Sequence, residues 1–162
     1  MFLLRYLYIL ALVIWLGGMV VAGAIVAPSI FEVLAERNVA ESTVIGGAVF
    51  GEVLRRLHVL GYAMGSVMIV ALGIRRLIGS RPVANGIRIG IIAAMLAFSF
   101  YASIKIDPQV AKLTKDIGGP VASLPATDPR RVEFDALHQY STWLFGLTAF
   151  GGLALLFWEA KE

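Results

Sequence analysis

The chemistry in this sequence centres on its two histidines, His58 and His138, each near the beginning of a long apolar segment. Imidazole nitrogens are common ligands of copper, zinc and haem iron. Arg55 and Tyr62 flank His58 at spacings that place all three side chains on one face of a helix. The pattern predicts a polar binding surface near the end of an apolar helix.

Carboxylates near the histidines extend this donor set. Asp135 precedes His138 on one helix face, Glu52 comes just before Arg55, and Asp107 ends a third apolar segment. With copper or zinc as the ligand, the candidate metal ligands are His58, His138, Asp135, Glu52 and Asp107. With haem b as the ligand, two imidazoles would hold the iron, and the candidate cofactor-binding residues are His58, His138, Arg55 and Tyr62.

The residues leave other interpretations open. Both histidines can instead form hydrogen bonds across a helical bundle, with flanking charges paired at the membrane surface and no ligand present. Met19, Met64 and Met95 can bind copper(I) through their thioethers or simply fill gaps in a core. No nucleophile with a nearby base, phosphate-binding loop or HExxH motif occurs, so the sequence identifies no catalytic residue.

The composition is that of a membrane protein. Of 162 residues, 59% are hydrophobic and 15% are charged, whereas soluble domains carry about 25% charged residues. Four apolar segments are long enough to cross a bilayer, over residues of about 3–31, 53–78, 86–106 and 134–158. We therefore predict an all-α integral membrane protein, a single domain (1–162) forming a four-transmembrane-helix up-down bundle.

The basic residues predict the orientation. On one side of the predicted bundle they lie in short segments almost free of acids: Arg5, Arg75, Arg76, Arg81, Arg88 and Lys161. By the positive-inside rule both termini lie in the cytoplasm, and we expect a bacterial inner membrane. The net charge of +3 follows from this topology, so the expected partner is the lipid bilayer and not a nucleic acid. Gly61 and Gly65 favour close helix packing and leave a homo-oligomer open.

A weak internal repeat appears at an offset of 80 residues. It aligns "IVAPSIFEVL" with "KIDPQVAKL" and "RRLHVLGY" with "DALHQYST", so Pro28 faces Pro108 and His58 faces His138. This favours two helix-hairpin repeats, with the second and fourth spans on a diagonal of the bundle. Each proline is expected to stop or kink its helix.

The stripe His58, Tyr62, Gly65 and the stripe Asp135, His138, Thr142 are both expected to face the bundle interior, since polar groups at membrane depth avoid lipid. Together they would form a polar funnel on the external side, closed below by apolar residues. In the haem interpretation, Gly61 and Gly65 would leave room for the porphyrin.

Four short stretches carry a family resemblance: "IWLGGM", "AVFGEVLRRLH", "IDP" and "FDALHQYS". They resemble the four-span family that includes the human transmembrane protein linked to cisplatin resistance. By that resemblance the positions of interest are Trp15, Gly17, Phe50, Asp107, Pro108, Phe134 and His138. The family pattern has a polar residue about one turn before His58, where this sequence has Arg55.

The "WLGG" turn is also similar to copper-resistance-D-like membrane proteins, which implies copper or haem as a ligand. The resulting hypothesis is a membrane protein that binds copper, zinc or haem b at an externally facing site between spans two and four. The alternative is a non-catalytic structural or stress- and drug-tolerance protein without a cofactor.

Overall fold

The computed structural model describes residues 2–79 and 84–161, which are helical except for short connections. The helices are α1 (Phe2–Val21), α2 (Ala27–Glu36), α3 (Ser42–Leu77), α4 (Asn85–Tyr101), α5 (Asp107–Ile117) and α6 (Pro129–Glu159). A π-turn joins α1 to α2 (Ala22–Val26), a second joins α4 to α5 (Ala102–Ile106), and a 3₁₀ turn (Val121–Ser123) precedes α6. Arg81 of the predicted basic loop lies outside the described residues.

Four continuous rods of 31–36 residues are long and apolar enough to cross a membrane: Phe2–Glu36, Ser42–Leu77, Asn85–Ile117 and Pro129–Glu159. This confirms the all-α, four-span integral membrane fold. At 1.5 Å per residue the rods measure roughly 47–54 Å, well beyond a hydrocarbon core of about 30 Å. Charged residues lie at the outer ends of the first, third and fourth rods, which is why hydropathy alone predicted shorter segments there.

The rods pack as a four-helix bundle with short connections. Helix α1 packs against α3 and α6, and α4 packs against the same two helices. Helices α3 and α6 therefore lie across a diagonal, as predicted for spans two and four.

The centre of the bundle is built around the indole of Trp15, which is 1% exposed. A β-carbon at Gly61 would lie 2.7 Å from Trp15 Nε1, and one at Gly65 would lie 3.1 Å from Trp15 Cζ3. The two glycines let α3 approach α1 closely because the indole fills the space above them. Nearer the termini, the core continues as a layer of buried apolar side chains: Leu12, Met68, Leu72, Ile92, Met95 and Leu155.

Of the two predicted outcomes, a stop or a kink, the stop does not occur at either proline, because each rod continues past it. Pro28 lies in the first turn of α2 and Pro108 in the first turn of α5, each directly after a π-turn. A proline within a regular helix clashes with the carbonyl of the residue four positions earlier. The wider π-turn moves that carbonyl, so each rod continues past its proline.

The structure also supports the internal repeat. The two π-turns, Ala22–Val26 and Ala102–Ile106, are 80 residues apart, the same offset that aligns the prolines. Buried positions of α1 and α4 follow the same offset, as four pairs: Tyr8 with Arg88, Leu12 with Ile92, Trp15 with Met95, and Met19 with Ser99. The two hairpins therefore share backbone irregularities and buried positions, although their residue types have diverged.

Candidate functional site

The structure brings together two of the predicted site residues, His58 and Asp107. His58 Nε2 on α3 lies 3.3 Å from Asp107 Oδ2, and the two side chains are 14% and 30% exposed. Asp107 is the first residue of α5, so the second π-turn sets its position. The two groups form an ion pair when the imidazole is protonated.

A second polar contact lies one turn farther along the same interface. The hydroxyl of Tyr62 is 2.6 Å from Ser103 Oγ, and it lies 3.2 Å from the carbonyl oxygen of Ser99. A π-turn changes the backbone hydrogen bonds from i+4 to i+5, which makes a nearby carbonyl available to a side-chain donor. Tyr62 therefore links α3 to the irregular part of the α4–α5 rod.

His58 also lines a small cleft between the four rods. Its volume is about 30 Å³, enough for about two water molecules. The polar lining residues besides His58 are Ser99, Ser141 and Thr148, and the apolar lining includes Trp15 and Met19. The cleft combines one imidazole, three hydroxyls and one thioether at the end of a tightly packed core.

The structure corrects the predicted orientation of α6. His138 is exposed, and its ring stacks on Phe134 with centroids 6.1 Å apart and an interplanar angle of 4°. Thr142, also exposed, donates its hydroxyl hydrogen bond to the carbonyl of His138 on the same helix. Leu137 instead occupies the inner face, 9% exposed. Both faces of α6 are largely apolar, so hydropathy did not distinguish the inner face from the outer one.

Asp135, the remaining residue of that stripe, is also on the outside. Its carboxylate is 3.9 Å from Arg131 Nε and 67% of the side chain is exposed. The described structure therefore does not bring Asp135 and His138 to the cleft that His58 lines.

Glu52 and Arg55 form a separate surface cluster with Arg56. Arg55 donates two hydrogen bonds of 2.7 Å to the Glu52 carboxylate, and Arg56 donates one of 2.8 Å. Both arginine side chains are mostly exposed. The carboxylate is thus already engaged by two guanidinium groups, and Arg55 turns away from the cleft.

The predicted five-residue metal set does not assemble. Within residues 2–79 and 84–161, no three His, Cys, Asp or Glu side chains are grouped closely enough to hold a metal ion. The space above Gly61 and Gly65 that a porphyrin would need is filled by Trp15 and Leu96. What remains is a two-residue donor pair, His58 and Asp107, beside a water-sized cleft.

Ser141 and Thr148 are lining residues that the sequence analysis missed. Both follow the 80-residue offset from buried positions of α3, since Gly61 corresponds to Ser141 and Met68 to Thr148. The repeat itself was therefore the signal that could have identified them, once the inner face of α3 was known.

Comparison with known proteins assigns the chain to a family. A model described as a domain of unknown function, DUF4149, matches residues 10–118, about two thirds of the sequence. No curated protein and no solved structure matches, so the resemblances to the cisplatin-resistance and copper-resistance-D proteins stay predictions. The matched segment contains most of the first rod and all of the second and third rods, with His58 and Asp107. The chain is thus a four-span membrane protein that belongs to the DUF4149 family.

Proposed function

We propose that the protein binds one divalent metal ion, zinc or copper, between His58 and Asp107. The supporting observation is the 3.3 Å separation of His58 Nε2 and Asp107 Oδ2. Two ligands of a tetrahedral ion, each about 2.0 Å from it, are separated by about 3.3 Å. A direct charge-assisted hydrogen bond is shorter, about 2.7–2.9 Å. The spacing therefore suits two ligands of one ion.

The cleft would supply the rest of the coordination. It has room for about two water molecules, and its hydroxyl groups provide hydrogen bonds to metal-bound water. Structural zinc sites use four protein ligands, so a site with two holds its ion less firmly. Such a site suits a protein that passes a metal ion on.

Haem b is the less favoured ligand. His138, the second axial ligand in that hypothesis, stacks on Phe134 at the exposed surface of α6. The cleft of about 30 Å³ is far smaller than the roughly 300–1,000 Å³ of typical small-molecule sites. Haem binding would require the bundle to open between α1 and α3.

Titration of detergent-purified protein with Zn²⁺ and Cu²⁺ by isothermal calorimetry tests the metal proposal. We expect one saturable site in the wild type and its loss in His58→Ala and in Asp107→Asn. His138→Ala is the matched control, since it removes the only other histidine of the sequence, and it should bind with unchanged affinity. The proposal fails if the wild type binds neither ion, or if His138→Ala abolishes binding as well.

A ligand-free structural role is the second candidate. The contacts of His58 with Asp107 and of Tyr62 with Ser103 join α3 to the α4–α5 rod at two successive turns. In this case His58→Ala lowers the thermal unfolding temperature of metal-free protein, and added metal stabilises neither the variant nor the wild type. In the metal-binding case, the ion stabilises only proteins that retain both His58 and Asp107.

The arginine-rich end supports placing both termini in the cytoplasm of a bacterial inner membrane. The sequence contains no cysteine, so single cysteines introduced at Ser123 and at Lys161 report position without a background. In intact cells, a membrane-impermeant maleimide should label Ser123→Cys and leave Lys161→Cys unlabelled until the cells are broken. The reverse pattern would overturn the proposed orientation.

A further inference from the structure

A buried ion-pair network lies at the end of the bundle that carries both termini. Arg88 on α4 is fully buried and its Nη1 lies 2.9 Å from Glu159 Oε2 on α6. Arg5 on α1 places its Nε 2.6 Å from the other oxygen, Glu159 Oε1. Arg88 also lies over the ring of Tyr8, 5.8 Å from its centroid. One carboxylate thus joins three of the four rods.

Positive charge exceeds negative charge at this end. In the described part of the chain, these ends of the rods carry one carboxylate, that of Glu159, and five basic residues. We call these residues the basic end: Arg5, Arg75, Arg76, Arg88 and Lys161. Arg5 is 39% exposed, and Arg76 and Lys161 are exposed. The exposed cations are therefore accessible to an external anion.

The exposed cations border apolar surface. Phe2 and Tyr6 are exposed and stack on each other beside Arg5, while Leu77 is exposed next to Arg76. Lys161 Nζ lies 4.3 Å from the ring centroid of Phe157, another exposed aromatic residue. Aromatic residues beside cations are typical of the level where acyl chains meet lipid headgroups.

We propose that the basic end binds the phosphate of an anionic phospholipid in the leaflet that faces the termini. Arg5 is already held in place by Glu159, and Arg76 and Lys161 add charge on neighbouring rods. The adjacent apolar surface accommodates acyl chains, which a free phosphate ion would not use. Basic pockets between membrane helices recognise acidic headgroups by this combination of charge and apolar contact.

The test is native mass spectrometry of detergent-purified protein titrated with phosphatidylglycerol, with phosphatidylcholine and with inorganic phosphate. The wild type should prefer phosphatidylglycerol over phosphatidylcholine by 30-fold or more. Arg76→Gln combined with Lys161→Gln should reduce this preference by roughly 25-fold, since each cation near a membrane surface contributes about a fivefold factor. Both residues are exposed, so the buried network stays intact.

Lys112→Gln combined with Lys115→Gln is the matched control, because it removes two exposed charges from the opposite end of the bundle. This variant should keep the full preference for phosphatidylglycerol. An equal loss in the control would show a general charge effect and overturn the assignment to the basic end. Equal binding of both lipids by the wild type would overturn it too, and so would inorganic phosphate that competes as effectively as the lipid.

Discussion

Replacing Gly61 with alanine places a methyl group against the rigid indole of Trp15 in the core. The new β-carbon would lie 2.7 Å from Trp15 Nε1, 2.9 Å from Cε2 and 3.1 Å from Cζ2. The indole is rigid and only 1% exposed, so it can give way only by shifting within the core. Either α1 and α3 separate, or Trp15 leaves its preferred rotamer.

The expected cost is the difference between two effects. Overpacking a core by one methyl group costs about 1–3 kcal/mol, whereas alanine in place of glycine stabilises a helix by about 1 kcal/mol. We therefore expect Gly61→Ala to lower the free energy of unfolding by about 0–2 kcal/mol. Because three core contacts are shorter than 3.2 Å, the cost should lie toward the upper end of that range.

Thermal unfolding in detergent, followed by circular dichroism, measures this loss. Gly73→Ala is the matched control, because Gly73 lies on the same helix and a β-carbon there meets nothing within 4 Å. The control should be neutral or slightly stabilising. If Gly61→Ala unfolds at the same temperature as Gly73→Ala, the close approach of α1 and α3 around Trp15 is wrong.

Three further outcomes are expected. Tyr62→Phe removes the hydroxyl that joins α3 to the second π-turn, and it should lower the free energy of unfolding, measured by thermal unfolding, by about 1 kcal/mol. Thr142→Val is the control: it loses only a contact within its own helix and should be nearly neutral. Glu159→Gln leaves a fully buried arginine of α4 without its carboxylate and should cost about 3 kcal/mol or more; a variant as stable as the wild type would rule out the network. Asp128 caps α6, and its hydrogen bonds with Arg130 lower the pKa of its carboxyl. Because this pKa is lower in the folded state, the ionised Asp128 carboxylate stabilises the fold above the ordinary pKa of about 4, and the stabilisation is lost as the pH falls through the folded-state pKa. The difference in unfolding temperature between the wild type and Asp128→Asn should therefore be present at pH 6 and shrink below about pH 4.

Much of the architecture was predictable because the membrane imposes it. Apolar length identified four spans, and short connections placed the second and fourth across a diagonal of the bundle. The 80-residue spacing of Pro28 and Pro108 anticipated the repeat, and the structure adds the matching π-turns before each proline. The π-turns themselves left no recognisable signal in residue type.

The site was predictable only in part. Asp107 and His58 were both selected because imidazole and carboxylate groups can bind copper or zinc, and they lie 3.3 Å apart in the structure. His138 was selected by the same reasoning and lies on the outside of α6. The difference is that α3 presents its histidine toward the α4–α5 rod, whereas α6 is rotated so that Leu137 faces inward.

Sequence by itself determined what must be in lipid: four apolar rods and an excess of basic residues at one end. Only the tertiary structure decided which face of each rod turns inward, that Trp15 covers Gly61, and that Arg5 meets Glu159 across 154 positions of sequence. The physical reason is that lipid and protein core are both apolar, so the hydrophobic effect favours neither face of a rod. Close packing and a few polar contacts determine which face of each rod turns inward, and these contacts join residues far apart in the chain.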